Sequence, residues 1–311
     1  MSRSTRVGGG VAIATIVLLY AIIEHGRTLR AERALHVLPK TARAVLRINP
    51  SALANSESAL ALFDWLVPAE RLSEIEARCG LDPLAALSDV TVWVGGPEGE
   101  SFQSVGLLLQ GRTVDSETLA ECYRTLVEAR GSAIDRVATS TGPLLRSRDG
   151  RSALAQVDEH TVVTGSTDTV AEFMAVGRGA VAPLFEEARF RDIWSRMAIG
   201  AAIAGAFVAP PRWQSAFERI GAVSDQASAL AGVEGLGFTT EAEIPTAITV
   251  VLDVKDSDIA RRDVALMEVW MESPPDTIEP YWVDIARSAQ IEVDGALITL
   301  TLDVSGLPKR P

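Results

Sequence analysis

Two stretches of this chain follow one pattern, and that repetition restricts its folding more than any other feature. GLLLQGRTVDSETLAECYRTL, from Gly106, and ITVVLDVKDSDIARRDVALMEVW, from Ile248, each run as an apolar strand, a short turn, an Asp-Ser cap and a helix. Asp115-Ser116 answers to Asp256-Ser257. Two further correspondences keep the same order. Upstream, AVLRINPS (from Ala44) and AFVAPPRW (from Ala206) are strands stopped by proline, with Pro50 matching Pro210. Downstream, SALAQVDEHTVV (from Ser152) and SAQIEVDGALIT (from Ser288) are hairpins whose turns open with Val157-Asp158 and Val293-Asp294. The spacing between partners shortens along the chain, which implies a duplicated unit with a shorter second copy. Hairpin-joined strands with helices between the pairs give an α+β fold, a duplicated, mostly antiparallel sheet with helices packed on one face. The expected divisions are 1–36 (membrane anchor and juxtamembrane helix), 37–178 (first α+β repeat) and 179–311 (second α+β repeat).

Periodicity places strands at Ala42–Ile48, Val90–Val94, Val105–Gln110, Ala153–Val157 and Thr161–Thr164. Helices are expected over Ser51–Val67, over Ala69–Cys79 with Gly80 as the stop, and from the Asp115 or Ser116 cap to about Arg130. On the last of these, Leu119, Cys122 and Leu126 fall at i, i+3 and i+7 and define the expected buried face. Met197–Ala209 is apolar but too short to cross a bilayer. Its Ala and Gly residues suit a central strand on which a helix lies close, and a core helix is the alternative.

Val7–Ile23 is 17 residues without a charge, preceded by Arg3 and Arg6 and followed by Glu24, His25 and Arg27. As a helix it covers ~26 Å, just short of the ~30 Å hydrocarbon layer, so its arginines would snorkel. No small-x-small site follows, which favours an uncleaved anchor over a cleaved signal peptide. No Cys lies near it, which excludes lipidation at a cleavage point. Arg3, Arg6 and the amino terminus oppose Arg27, Arg30 and Arg33 across the span. The short positive tail favours a cytoplasmic N-terminus and an exported body, in a bacterial inner membrane with the body on the periplasmic side.

The segments LPKTARAVLRINP, CGLDPLAALSDVTVWV, GRTVDSETLA and QVDEHTVVTGSTDTV resemble uncharacterised bacterial membrane-anchored α+β proteins, a domain of unknown function. The resemblance covers most of residues 38–305. It implies an anchor and a fold, and it carries no active site across.

Chemistry is harder to find. The chain carries a net charge of -12, and residues 1–36 hold five Arg against two Glu, so the body carries about -15. Phosphates would be repelled, and no nucleic-acid partner is expected. At 47% apolar and 23% charged residues the chain is neither disordered nor a multi-span transporter. It has three histidines: His25 and His36, too far apart along a helix to share a metal, and His160 in a hairpin turn after Asp158 and Glu159. No G-x-S-x-G, S-x-x-K or H-E-x-x-H occurs. Gly232, Gly235 and Gly237 run in the reverse of the dinucleotide order, and Lys40, Lys255 and Lys309 are the only lysines. Glu186, Glu187, Asp276, Glu279 and Asp284 read as acidic surface, with a glycosidase pair left open. Trp65, Trp93, Trp194, Trp213 and Trp270 read as core anchors; Trp282, beside Tyr281, reads as core or as an exposed platform. Cys79 and Cys122 are either bridged, in an oxidising compartment, or two buried thiols.

The expected function is therefore non-catalytic: a membrane-anchored envelope protein, held through residues 7–23, that binds a protein partner or serves as a scaffold. No catalytic, cofactor-binding or metal-binding residue is assigned, and no cofactor. A carrier of an apolar ligand between the two halves, and an envelope hydrolase of unfamiliar kind, are the alternatives.

Overall fold

The computed structural model of the chain describes residues 36–53, 55–67, 69–96, 104–139, 142–197, 200–209, 232–240, 246–272 and 280–305. The expected anchor, Val7–Ile23, and the side chains of Trp65, Trp213, Trp270 and Trp282 lie outside them, as do His25, Asp276 and Glu279. Among the described residues no helix is long and apolar enough to cross a membrane.

The fold is α+β, built on one large antiparallel sheet. The first wing contains β1 (Ala42–Ile48), α1 (Pro50–Leu53), α2 (Glu57–Leu66), α3 (Ala69–Cys79), α4 (Pro83–Ala86), β2 (Leu87–Gly95) and β3 (Ser104–Gly111). It continues through α5 (Ser116–Ala129), β4 (Ile134–Thr139), β5 (Gly142–Ser147), β6 (Ala153–Gln156), β7 (Thr161–Gly165) and α6 (Thr167–Val176). A 3-10 turn at Leu184–Glu186 leads to α7 (Ala188–Ser195), β8 (Ile203–Val208), β9 (Val233–Thr240) and β10 (Ala247–Val254). The chain then forms α8 (Ser257–Glu272), α9 (Pro280–Arg287), β11 (Gln290–Asp294) and β12 (Leu297–Asp303).

Twelve strands join in the order β11-β12-β10-β9-β8-β1-β2-β3-β7-β6-β5-β4. The seam is β1 against β8, paired from Ala44↔Phe207 to Ile48↔Ile203. Outward from it, one wing runs β2-β3-β7-β6 and the other β9-β10-β12-β11; the β5-β4 hairpin extends the first wing only. Both Asp-Ser caps form. Asp115 Oδ1 accepts from the Thr118 amide at 2.8 Å, and Asp256 Oδ1 accepts from the Asp258 and Ile259 amides, each at 2.9 Å.

Helices cover both faces of the sheet, not one. Successive residues of a strand point to opposite faces, and here successive residues enter different cores. Ala153, Ala155, Val163 and Val251 join Phe173 of α6 and Phe190, Ile193 and Trp194 of α7. Their neighbours Leu154 and Val162 pack with Leu119 and Ala120 of α5, and Leu252 packs with Ala260 of α8. On that same second face, Ile48 and Ile203 meet Leu53 of α1 and Phe63 of α2. Ala153–Ala155, Thr161–Val163 and Ile203–Ala206 are accordingly buried without a break, where a sheet covered on one face would show alternation.

Other expectations need adjustment. The helix expected over Ser51–Val67 is broken, because Ser56 is extended and its hydroxyl caps α2 by accepting from the Ala59 amide. The buried stripe of α5 is Ser116, Leu119, Ala120 and Val127, with Tyr123 packed beside them, so Cys122 lies off it. Met197–Ala209 does supply a central strand, β8, and α7 lies directly on it.

Candidate functional site

The most perturbed ionisable group among the described residues lies where α7 crosses β9 and β10. Alternation along ITVVLDV puts Val251 and Asp253 on the face that α7 covers. The helix can approach closely because β9 presents glycine there. A Cβ added to Gly237 would stand 2.4 Å from Ile193 Cγ2, and one on Gly235 would stand 2.7 Å from Ile193 Cδ1. Next to Gly235 the ladder slips: Val254 pairs with Val233 while Asp253 pairs with Gly235, so Glu234 is an extra residue in a bulge. Its carboxylate pairs with the Arg189 guanidinium of α7.

Arg189 therefore serves two carboxylates unequally. It bonds Glu234, while its Nε stays 3.9 Å from Asp253 Oδ2, beyond hydrogen-bond range. Asp253 Oδ2 is buried and has no hydrogen-bond partner. Burial pushes the Asp253 carboxyl up to about 6; Arg189 opposes the rise, and the negative charges of Glu234 and Asp192 add to it. The group can thus take up or release a proton near neutrality beside a charged neighbour, an environment shared by acid-base sites and by buried structural pairs.

Two other charged sites are internal. Arg47 and Asp89 form an ion pair at 2.6 Å between β1 and β2, and the Thr91 hydroxyl donates to Asp89 at 3.1 Å. Asp263 on α8 is 1% exposed; Arg262 donates to its Oδ1 at 2.8 Å, its Oδ2 has no partner, and burial raises its pKa. Among the described residues no group of three or more His, Cys, Asp or Glu is arranged to hold a metal ion.

Residues singled out in the sequence are dispersed. His160 sits in the exposed β6–β7 turn with Nδ1 3.3 Å from the Val114 carbonyl, and His36 stacks on Phe185 with ring centroids 4.0 Å apart. Glu186 and Glu187 flank the start of α7, and Asp284 is exposed on α9. Gly232, like Gly235 and Gly237, meets a packing neighbour, in its case Ile259. Trp93 and Trp194 are buried, Trp93 lying over its cross-strand partner Gly106 and stacking on Phe173. Cys79 and Cys122 are bonded to each other, with Cα atoms 5.1 Å apart, and tie α3 to α5.

Sequence reasoning missed Arg189, Glu234 and Asp253. The available signal was a lone carboxylate at an inward position of an apolar strand, together with an acid set among glycines. What hid it was the net negative charge, which makes every acid look like solvated surface.

No protein-family model matches the chain, and no curated protein matches it. Solved structures of TP0453 resemble it in three crystal forms. Form I aligns at 10% identity with a TM-score of 0.47, covering 88% of this chain and 94% of that one. Form III aligns at 11% identity with a TM-score of 0.44, covering 88% and 95%. Form IV aligns at 10% identity with a TM-score of 0.45, covering 88% and 94%.

Proposed function

We propose that this chain is a single-pass, membrane-anchored envelope protein whose body, a duplicated α+β unit, is exported and acts by binding protein, without catalysis. The observation that carries the reading is the Cys79–Cys122 bridge. Disulfides persist in oxidising compartments, and a body carrying one fits the far side of a membrane from the cytoplasm. Val7–Ile23 supplies the anchor, with the bridge on the exported side of it. The body suits a scaffold because its halves share one sheet across β1–β8 and one core, which fixes the relation between surfaces at either end. Duplication is supported by the matching order of the two wings and by the repeated caps.

Two measurements test this. An alkaline phosphatase fusion after residue 311 should be active; an inactive fusion that is stably expressed would place the body in the cytoplasm. Crosslinking in the native cells, mild detergent extraction and mass spectrometry should recover a near-stoichiometric protein. Recovery of a bound lipid with no protein would shift the reading to a carrier.

A further inference from the structure

We infer that copies of this chain associate head to tail, the β4 edge of one body continuing the sheet of the next at β11. The inference rests on the protein-binding reading and names its partner as a second copy.

The first argument is topological. Outward from the seam, β6 and β11 hold the same place in their wings. The outer side of β6 is taken by an antiparallel strand, β5, through Leu144↔Ala155, Leu145↔Leu154 and Arg146↔Ala153. Among the described residues β11 has no such neighbour, although its wing is otherwise ordered alike. The consequence is visible in burial: Ala153, Leu154 and Ala155 are enclosed, whereas Val293 of β11 is 43% exposed. An edge of this kind offers backbone donors and acceptors to an incoming strand. At the opposite end of the sheet β4 is also an edge, and its six residues are close in length to the five of β11.

The second argument is charge, and it selects the partner. Between Arg130 and Arg151, the segment holding β4 and β5 carries five Arg against two Asp and no other charge. Between Ser288 and Ser305, the segment holding β11 and β12 carries Glu292, Asp294 and Asp303 with no Lys or Arg. The two segments are therefore net +3 and net -3, within a chain of -12. Some of these charges are engaged internally, Asp135 by Arg148 and Asp294 by Arg196. Arg136 and Glu292 are exposed, with no ion pair to another described residue, and Arg146 is exposed on β5, opposite Asp135, whose pKa its charge helps to lower. Like ends repel and unlike ends attract, so pairing of β11 with β11 or of β4 with β4 is disfavoured. The β4 edge, itself neutral with Asp135 and Arg136 but flanked by the arginines of β5 and the adjoining turns, is favoured against acidic β11, a heterologous contact that propagates in one direction. Anchoring in a membrane would confine the copies to a plane and raise their effective concentration.

The test uses the full-length protein in detergent, with two single variants at exposed uncharged positions of the two edges, Ala138→Cys and Val293→Cys, and a short bismaleimide; the native bridge leaves no other free thiol among the described residues. Mixing the two variants should give a crosslinked dimer that neither gives alone, and the yield should fall as salt screens the contact. Adding Arg136→Glu and Arg146→Glu to the Ala138→Cys variant should abolish its crosslinking to Val293→Cys protein, and Glu292→Arg with Asp294→Arg in otherwise wild-type copies should abolish their self-association in sedimentation. An uncrosslinked mixture, or crosslinks within one variant alone, would overturn the inference. A captured foreign partner combined with an uncrosslinked mixture would refute self-association and leave the protein-binding reading standing.

Discussion

Asp253 is a carboxyl enclosed between a glycine-bearing strand and a helix, close to an arginine that bonds another acid instead. Its pKa in the fold, about 6, lies above the ordinary 3.8, so the fold favours the neutral acid. That contribution is fully present below 3.8 and is lost as pH rises through about 6. Asp253→Asn should therefore raise stability at pH 8 by ~2 kcal/mol, a figure reduced from full burial because some solvent access remains. The gain should shrink towards pH 4, as paired denaturant melts across that range would show; an equal effect at both pH values would separate the residue from its titration. Close packing at the same site makes a second prediction. Gly237→Val would drive branched carbons into Ile193 and should cost about 1–3 kcal/mol, whereas Gly237→Val with Ile193→Ala should recover part of the loss. Sequence alone showed these glycines only as a reversed nucleotide motif. Their role depends on α7 arriving from a distant part of the chain, which no local pattern encodes.

Helix α3 shows how an element can be held with little packing. None of its residues is buried, and only Leu72 reaches a hydrophobic cluster. Its own ion pairs, Arg71 to Glu74 at 3.1 Å and Arg78 to Glu74 at 3.2 Å, lie on the surface and contribute little. The bridge from Cys79 to Cys122, spanning 43 residues, is thus the main tie to the body. Cys79→Ser with Cys122→Ser should lower stability by up to ~4 kcal/mol. Hydrogen exchange should show the amides of α3 losing protection before those of α5; simultaneous loss would mean that packing holds α3 after all. Helices of this kind were legible because caps and amphipathic periods are local: Asp115 and Asp256 marked their starts correctly. The β4–β5 hairpin was not. IDRVAT and GPLLRS carry arginines, a proline and no sustained alternation, and they become strands by extending an edge already built by β6. The restriction of helices to one face also failed, because α6 and α7 cover the side opposite α5 and α8.

At the scale of the molecule, the seam decides how the protein behaves. Chain order suggests two bodies, divided near residue 178, but one core crosses that point. Val45, Trp93 and Phe173 from one side share it with Ile193, Ala204 and Val251 from the other. The segments that begin each side also bond each other: Lys40 donates to the Ala182 carbonyl at 3.0 Å, and Leu184 donates to the Leu38 carbonyl at 2.8 Å. Splitting the chain there would expose β1 and β8 as open edges and uncover Leu38, Leu184 and Phe190, all at 0% exposure. Neither half should then fold by itself, and the whole should unfold as one unit. The buried Trp93 and Trp194 lie on opposite sides of the division and both in the shared core, so each can report its own side when the other tryptophans are replaced by Phe. Their fluorescence midpoints in urea should coincide with each other and with the far-ultraviolet circular dichroism. Two separated midpoints would mean that each wing carries its own stability, and that the seam is a joint between two bodies in place of the centre of one.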